Sequence, residues 1–440
     1  MNILAHVRRR GPASPRASAG APPDATLAPS AVRRGLRLSI VEGALSNIHV
    51  SITTSAFLTG LALLLGASDF ELGLIGALPF VGQLFQFVGA YLEERLGQRR
   101  RLVVLTTGIS RSLWALAAAL PFLGRLGAAR LTIFLLVLAL AQALLGIGIN
   151  AWTSWMSDLV PPRQRGSYFG VRNTVASVTA MASTWLAGHV LDHYQGAGDP
   201  AVGYALAFGV AVVAAIAGAV VLARQPEPPM PSRRRVPFSA LFSAPLRHQR
   251  FRALILTATG WALATGIASP FFNVYGIQTL KLSFATLALF GVATSAITLI
   301  TQPFVGRLQD RYGDRRVLIG SVIGVILLPW GWVLSTPTFL LPLWITQICA
   351  GIFWPGITQG LLNLVMDRAP SEGRGAYVAA YGAGTGVGTF FASLIGGLIA
   401  TGLGATVLQV GPLALNHYAI LFVLSSVGRA AMALAFARRL

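Results

Sequence analysis

Long apolar runs that recur along the whole chain are the feature that most restricts its fold. Runs of about 20 residues, long enough to cross a bilayer as helices, recur between residues 39 and 437. Only helices and closed barrels satisfy every backbone hydrogen bond inside lipid, and the short alternating segments of a barrel are not seen. With 54% hydrophobic and 11% charged residues, the chain is predicted to be an all-α polytopic membrane protein.

The runs form two sets of six, which predicts two six-helix halves. We expect a disordered cytoplasmic tail at 1–35, a first half at 36–223, a cytoplasmic linker at 224–250 and a second half at 251–440. An organelle transit peptide is the alternative for the arginine-rich tail, and a short interfacial helix is expected at 238–242. The twelve predicted spans lie near 39–65, 70–92, 102–123, 130–155, 167–191, 201–223, 252–275, 284–306, 316–335, 339–366, 375–401 and 414–437.

The same charged motif occurs once in each half, between two apolar runs. Residues 306–316 read Gly-Arg-Leu-Gln-Asp-Arg-Tyr-Gly-Asp-Arg-Arg, and residues 90–100 read Ala-Tyr-Leu-Glu-Glu-Arg-Leu-Gly-Gln-Arg-Arg. Gly97 and Gly313 suit tight turns between helices. A second repeat aligns 158–168 with 367–377 without a gap. Two matched repeats indicate an internal duplication.

The motif at 306–316 resembles the loop signature of the major facilitator superfamily (MFS), and its copy departs from the signature at Ala90 and Glu94. Six helices, a linker and six helices are also the architecture of that family. The resemblance implies an MFS fold of 12 transmembrane helices, with two pseudo-symmetric halves that rock to give alternating access.

The resemblance also implies a gate on the cytoplasmic side. Glu94 would face Arg374 and Gly375, Asp310 would face Arg165 and Gly166, and Asp158 and Asp367 would engage Arg95 and Arg311. The alternative is that these residues only anchor topology and form turns. The predicted gating residues are Glu94, Arg95, Gly97, Asp158, Arg165, Asp310, Arg311, Gly313, Asp367 and Arg374.

The net charge of +20 would suggest nucleic acid in a soluble protein, but its distribution argues for topology. Among 34 basic residues, the predicted outer loops hold only Arg125, Arg130 and Lys281. By the positive-inside rule both termini lie in the cytoplasm, and the expected location is the cell membrane. No nucleic-acid module is seen, and the single cysteine, Cys349, allows no disulfide or metal framework.

Polar residues on one face of the first span are candidates for chemistry. Glu42, Ser46, His49 and Thr53 are spaced by 4, 3 and 4 residues, which places them on one side of a helix. Such faces point to a cavity or to another helix. Glu42 and His49 are the candidates for proton coupling, and a neutral, hydrogen-bonded His49 is the alternative.

Spans 4, 7 and 10 carry further polar stripes, and in related folds spans 1, 4, 7 and 10 line the central site. Polar groups that only join helices are the alternative for any single residue. The predicted substrate-binding residues are His49, Thr53, Asn150, Trp261, Asn273, Trp354, Gln359 and Asn363.

Three charged residues receive separate interpretations. For Arg111, within span 3, we favour an internal salt bridge over substrate binding. Arg429, in span 12, is expected to snorkel to the cytoplasmic end. Asp192 is expected near the outer mouth of span 5. The scarcity of cavity charges favours a neutral, cationic or amphipathic substrate.

The predicted function is a secondary active or facilitative transporter of a small organic solute, with export favoured and proton coupling left open. No catalytic set or nucleotide loop is found, so neither an enzyme nor a cofactor is expected. The predicted partners are the small-molecule substrate, the bilayer and protons, and a monomer is expected. A non-transporting receptor or scaffold on the same fold, or a lipid flippase, are the alternatives.

Overall fold

The structure, a computed structural model, describes residues 27–229, 247–370, 374–411 and 413–439. These residues form twelve long helices, numbered α1 to α12 in chain order. Their bounds are Pro29–Ile52 continued by Ser55–Leu64, Asp69–Leu96, Arg99–Phe122, Ala129–Leu159, Arg165–Gly196, Pro200–Ala223, Gln249–Gln278, Phe284–Tyr312, Asp314–Val333, Leu341–Arg368, Arg374–Leu403 and His417–Arg439. Two short antiparallel strands, β1 (Val407–Val410) and β2 (Leu413–Asn416), precede α12.

The predicted membrane spans are confirmed, with one helix more polar than the others. Ten described helices are long and apolar enough to cross a membrane, and the two parts of α1 together make an eleventh. Helix α5 completes the twelve with 32 residues, but Ser, Thr, Asn and Arg residues lower its hydropathy. The interfacial helix expected at 238–242 and most of the N-terminal tail lie outside the described residues.

Helix α1 differs from its prediction at both ends. It begins at Pro29, inside the segment predicted to be a disordered tail, and its two parts meet at an angle of 43° around Thr53 and Thr54. Proline interrupts α7 and α9: the second parts of these helices begin after Pro270 and at Leu328–Pro329. Proline has no N–H for the carbonyl four residues earlier, so the helix breaks there.

The two halves repeat the same packing plan. In the first half α1 packs on α5 and α6, and α2 packs on α4; in the second half α7 packs on α11 and α12, and α8 packs on α10. The halves meet where α2 contacts α11 and where α5 contacts α8.

The bundle has two different ends. We call the end with the turns at Gly97 and Gly313 and with both described termini the basic side, and the opposite end the clasped side. Buried apolar residues form one cluster across both halves at the clasped side, including Phe57 and Phe271. Toward the basic side they form two separate clusters, one around Trp155 in the first half and one around Phe251 in the second.

Close helix contact at the clasped side depends on two glycines. A Cβ atom at Gly73 of α2 would lie 2.6 Å from the Ser393 carbonyl of α11, and one at Gly188 of α5 would lie 2.8 Å from the Ala285 Cα of α8. At the basic end of α5, by contrast, a Cβ at Gly166 or Gly170 would meet open space. The halves are therefore joined at the clasped side and separated at the basic side.

Candidate functional site

A cavity of about 440 Å³ lies in the second half, between α7, α9, α10, α11 and α12, with Phe80 of α2 contributing from the first half. Aromatic and polar side chains share its walls, as in ordinary small-molecule sites. The lining includes Phe80, Phe272, Trp332, Trp354, Thr265, Ser269, Thr346, Gln347, Thr389 and Arg429.

Arg429 is the charged residue of this cavity, and the structure corrects its predicted position. Its side chain does not snorkel: the residue is 3% exposed and lies about 18 Å along α12 from His417 at 1.5 Å per residue. One guanidinium nitrogen, Nη1, donates to the Val325 carbonyl at 2.9 Å, while Nε is buried without a partner. The positive charge of Arg429 in the cavity wall disfavours a cationic substrate, which is one of the three classes that the sequence favoured.

Two predicted tryptophans meet beside Arg429. Trp354 lines the cavity, and its ring centroid lies 6.0 Å from the Arg429 Cζ. Trp261 packs behind it, with ring centroids 6.1 Å apart, and also contacts Phe436. The structure therefore brings Trp354 to the cavity and makes Trp261 its support.

The predicted amide residues lie elsewhere. Asn150 donates to Glu93 at 3.2 Å, which joins α4 to α2, and Asn363 donates to Asp314 at 2.7 Å, which joins α10 to α9. Gln359 and Asn273 are half-buried. None of the four is among the residues that line the cavity beside Arg429.

The polar face of α1 is real, but it points into the first half. Glu42 lies 3.4 Å from Arg111 and 3.3 Å from Arg172, and Ser46 donates to Glu42 and accepts from Arg111. The internal salt bridge predicted for Arg111 is confirmed. Arg172, within α5, shares the same carboxylate. Glu42 is thus a buried counter-ion, held by two arginines.

His49 and Thr53 lie further along the same face of α1. His49 is buried, with Nδ1 at 3.2 Å from the Ala211 carbonyl of α6 and its ring 6.0 Å from that of Trp114. Thr53 donates to the His49 carbonyl at the break in α1. In this structure the face is turned toward α3, α5 and α6, and neither residue lines the cavity beside Arg429.

One carboxylate of the predicted gate has another partner in this structure. Asp158 engages Arg99 rather than Arg95, with Nη1 to Oδ2 at 2.5 Å. Arg99 begins α3, which packs on α4, whereas Arg95 ends α2 on the other side of the Gly97 turn and is exposed. Arg99 is fully buried and also holds the start of the linker: its backbone N–H donates to Glu227, and Nη2 donates to the Pro228 carbonyl.

The other predicted gating residues surround open turns. Gly97 and Gly313 have φ values of +61° and +85°, the conformation for which glycine was expected. The side chains of Glu94, Arg95, Asp310, Arg311 and Asp367 are exposed. Arg165 is exposed and donates to the Ser157 carbonyl at 2.6 Å; the side chain of Arg374 lies outside the described part.

Two carboxylates form a clasp that sequence analysis did not assign. Asp192 of α5 accepts from the backbone N–H groups of Phe284 (2.7 Å) and Ala285 (2.8 Å) at the start of α8. Asp69 of α2 accepts from the Tyr418 hydroxyl at 2.5 Å and lies 3.3 Å from His417 Nε2, both in α12. Each carboxylate crosses between halves, and the unpaired N–H groups at the α8 N-terminus favour the negative charge.

Two pseudo-symmetric helical halves, joined at one end and separated at the other beside a lined cavity, are the architecture of a membrane transporter. The profile of the Major Facilitator Superfamily matches residues 43–393 and 278–438. The chain therefore belongs to that superfamily, and it is a transporter, not an enzyme.

Known proteins with similar sequences or folds are transporters. A probable nitrate/nitrite transporter, NarK2 of Mycobacterium tuberculosis, is 26% identical over 345 residues, covering 75% of this chain and 80% of that protein. The efflux pump apf11 of Gibberella fujikuroi is 27% identical over 158 residues, but the match spans only 35% of this chain and 27% of the pump. A solved POT family peptide transporter in an auto-inhibited form has 13% identity and a TM-score of 0.71, covering 92% of this chain and 96% of its own; this likeness concerns the fold alone.

Proposed function

We propose that the protein is a secondary transporter of a small organic solute, seen here with its substrate path open to the cytoplasm. The arginine-rich basic side faces the cytoplasm by the positive-inside rule, so both termini are cytoplasmic and the protein resides in the cell membrane. The observation that carries the proposal is the single apolar core shared by both halves at the clasped side, against two separate cores at the basic side.

The opposite state requires the clasp to open and the basic ends to meet. In that state we place Asp310 against the start of α5 near Arg165, and Glu94 against the start of α11 near Arg374. Two facts support the first pair: the side chains of Asp310 and Arg165 are exposed here, and α8 already contacts α5 at the clasped side. A rocking motion about that contact would bring their basic ends together.

Distance measurements between spin labels test the proposed motion. Labels at Ser167→Cys and Leu308→Cys, in a Cys349→Ser background, report the separation of the exposed basic ends of α5 and α8. In liposomes we expect a long-distance population that corresponds to this structure. Asp192→Ala removes two inter-half hydrogen bonds and should move molecules to a shorter distance.

Two controls make the measurement specific. A label pair within the first half, Ser167→Cys with Leu96→Cys, should give a distance that Asp192→Ala does not change. Asp199→Ala removes an exposed carboxylate from the same side of the bundle and should leave the Ser167–Leu308 distribution unchanged. A single Ser167–Leu308 distance that Asp192→Ala does not change would contradict alternating access in this chain.

A further inference from the structure

We propose that the cavity beside Arg429 binds an organic monoanion, a carboxylate joined to an aromatic or other apolar body. This inference rests on the proposed function, since it names the substrate class of the transport cavity. It is drawn from the charge, the hydrogen bonds and the walls of the cavity.

Arg429 has no acidic counter-ion in the part of the chain that the structure describes. Arg111 and Arg429 are both buried arginines, 7% and 3% exposed, but Arg111 has Glu42 beside it. No carboxylate among the described residues forms an ion pair with Arg429. In sequence, the acidic residues of the second half all fall at or between the basic ends of its helices: Asp310, Asp314, Asp367 and Glu372. The second half therefore supplies no acid at membrane depth, and a buried unpaired cation is strongly unfavourable.

Arg429 already makes one structural hydrogen bond, to the Val325 carbonyl. The carbonyl of Val325 would accept from the N–H of residue 329 in a continuous helix, but that residue is Pro329. Nη1 of Arg429 takes the place of the missing donor. This structural bond fixes the guanidinium at the cavity wall and uses one of its five N–H groups. The charge and the other N–H groups of the guanidinium remain for an anion.

The other lining groups separate into donors and acceptors. The side-chain oxygen of Gln347 accepts from Thr294 at 2.8 Å, which leaves its amide NH₂ to donate. Thr265 and Thr389 donate their hydroxyls to backbone carbonyls of their own helices, so they offer lone pairs to a ligand. A carboxylate suits Arg429 and Gln347, and a hydroxyl on the ligand body suits the threonines.

The remaining walls are aromatic, and the volume is small. Phe80, Phe272, Trp332 and Trp354 contribute ring surface, on which an aromatic body gains edge or face contacts. About 440 Å³ is in the lower part of the usual range for small-molecule pockets. A single substituted ring with one carboxylate fits this space, whereas a second charge would have no partner.

Ligands of similar shape that are anionic, neutral or cationic test the proposal. The purified full chain in detergent is titrated with benzoate, 4-hydroxybenzoate, benzamide and benzamidine, and its unfolding temperature is recorded. We expect at least one of the two carboxylates to raise that temperature in a saturable way, while the neutral amide and the cationic amidine do not. Arg429→Gln should weaken the apparent affinity for the carboxylate on the order of 10- to 100-fold, the value of a charge-assisted hydrogen bond.

A second pair of variants separates anion binding from folding. Pro329→Ala adds an N–H that can donate to the Val325 carbonyl, and because this oxygen has two lone pairs, Arg429 Nη1 keeps its own hydrogen bond to it. This variant should therefore fold and bind the carboxylate as the wild type does. Pro329→Ala with Arg429→Gln should keep the unfolding temperature of Pro329→Ala and lose the carboxylate effect. A carboxylate effect that survives in the double variant would overturn the role of Arg429.

Other outcomes would also overturn the proposal. The proposed anion site would be contradicted by equal stabilisation with benzoate and benzamide, by stronger stabilisation with benzamidine, or by no effect of either carboxylate. Stabilisation by acetate as strong as that by benzoate would show that the aromatic walls of the cavity do not contribute to binding. Binding in detergent does not depend on rocking, and the spin-label distances do not depend on a ligand, so failure of this inference and failure of the proposed function are distinguishable.

Discussion

Buried arginines in this protein have different roles according to the carboxylates around them. Arg99 and Arg111 each have an acidic partner, whereas Arg429 has a backbone carbonyl. The first two stabilise the packing of α1, α3 and α4. The third keeps its positive charge at a cavity, where an ion can reach it.

The Glu42 network gives a stability prediction. Glu42→Gln leaves Arg111 and Arg172 without their shared counter-ion in a buried site, so the variant should lose about 3–5 kcal/mol of stability. The measurement is the unfolding temperature in detergent. Glu94→Gln is the matched control, since this exposed residue should change stability by no more than about 0.5 kcal/mol. Equal effects of the two changes would show that the Glu42 network contributes no stability.

The gate proposal gives a prediction for Asp310. Asp310→Asn keeps the shape of the exposed side chain but removes the charge proposed to meet the start of α5 when the basic ends close. In an Asp192→Ala background we expect the short-distance population between labels at Ser167 and Leu308 to fall, with the unfolding temperature unchanged. An unaltered distribution would leave Asp310 with a role in topology only.

At the scale of elements, helix contact at the clasped side depends on small residues. Gly73→Ala places a methyl group 2.6 Å from the Ser393 carbonyl, a separation that the two backbones must increase. We expect this variant to shift spin-label distances toward the closed basic side, as Asp192→Ala does. Gly209→Ala on α6 meets nothing within 4 Å and should leave the distances unchanged. A Gly73→Ala distribution like that of the wild type would show that this contact does not hold the halves together.

Breaks in helices are the second feature at this scale. Pro329 interrupts α9 and frees the Val325 carbonyl, and that carbonyl then positions Arg429 of α12 at the cavity. Pro329 of α9 thus determines the position of a charged side chain of α12. The position of Arg429 near the end of an apolar run predicts a snorkelling residue. The run itself does not show that the Val325 carbonyl of α9 lacks a backbone donor.

At the scale of the whole molecule, the state of the transporter is decided by contacts between the halves. The shared core and two carboxylate clasps close one side, while exposed charges and open turns occupy the other. Asp192 was predicted only to lie near the mouth of span 5. Its partners are backbone N–H groups of α8. Every residue except proline has such a group, so the sequence does not mark these two as partners.

The membrane spans, the two halves and the turns at Gly97 and Gly313 can be predicted from the amino-acid sequence alone. These properties are local: the length of an apolar run decides whether it crosses a bilayer, and a tight turn with positive φ demands glycine at one position. The repeat of both motifs then related the halves without any knowledge of their packing.

The partner of each polar residue, by contrast, depends on how the helices pack together. A spacing of three and four residues shows that Glu42 and His49 share a face of α1, but the rotation of the helix about its axis decides whether that face meets α3 and α6 or a cavity. The pairing of Asp158 with Arg99 and the isolation of Arg429 depend on residues far apart in the chain. Their contacts are set by how helices pack, and packing is a property of the whole bundle.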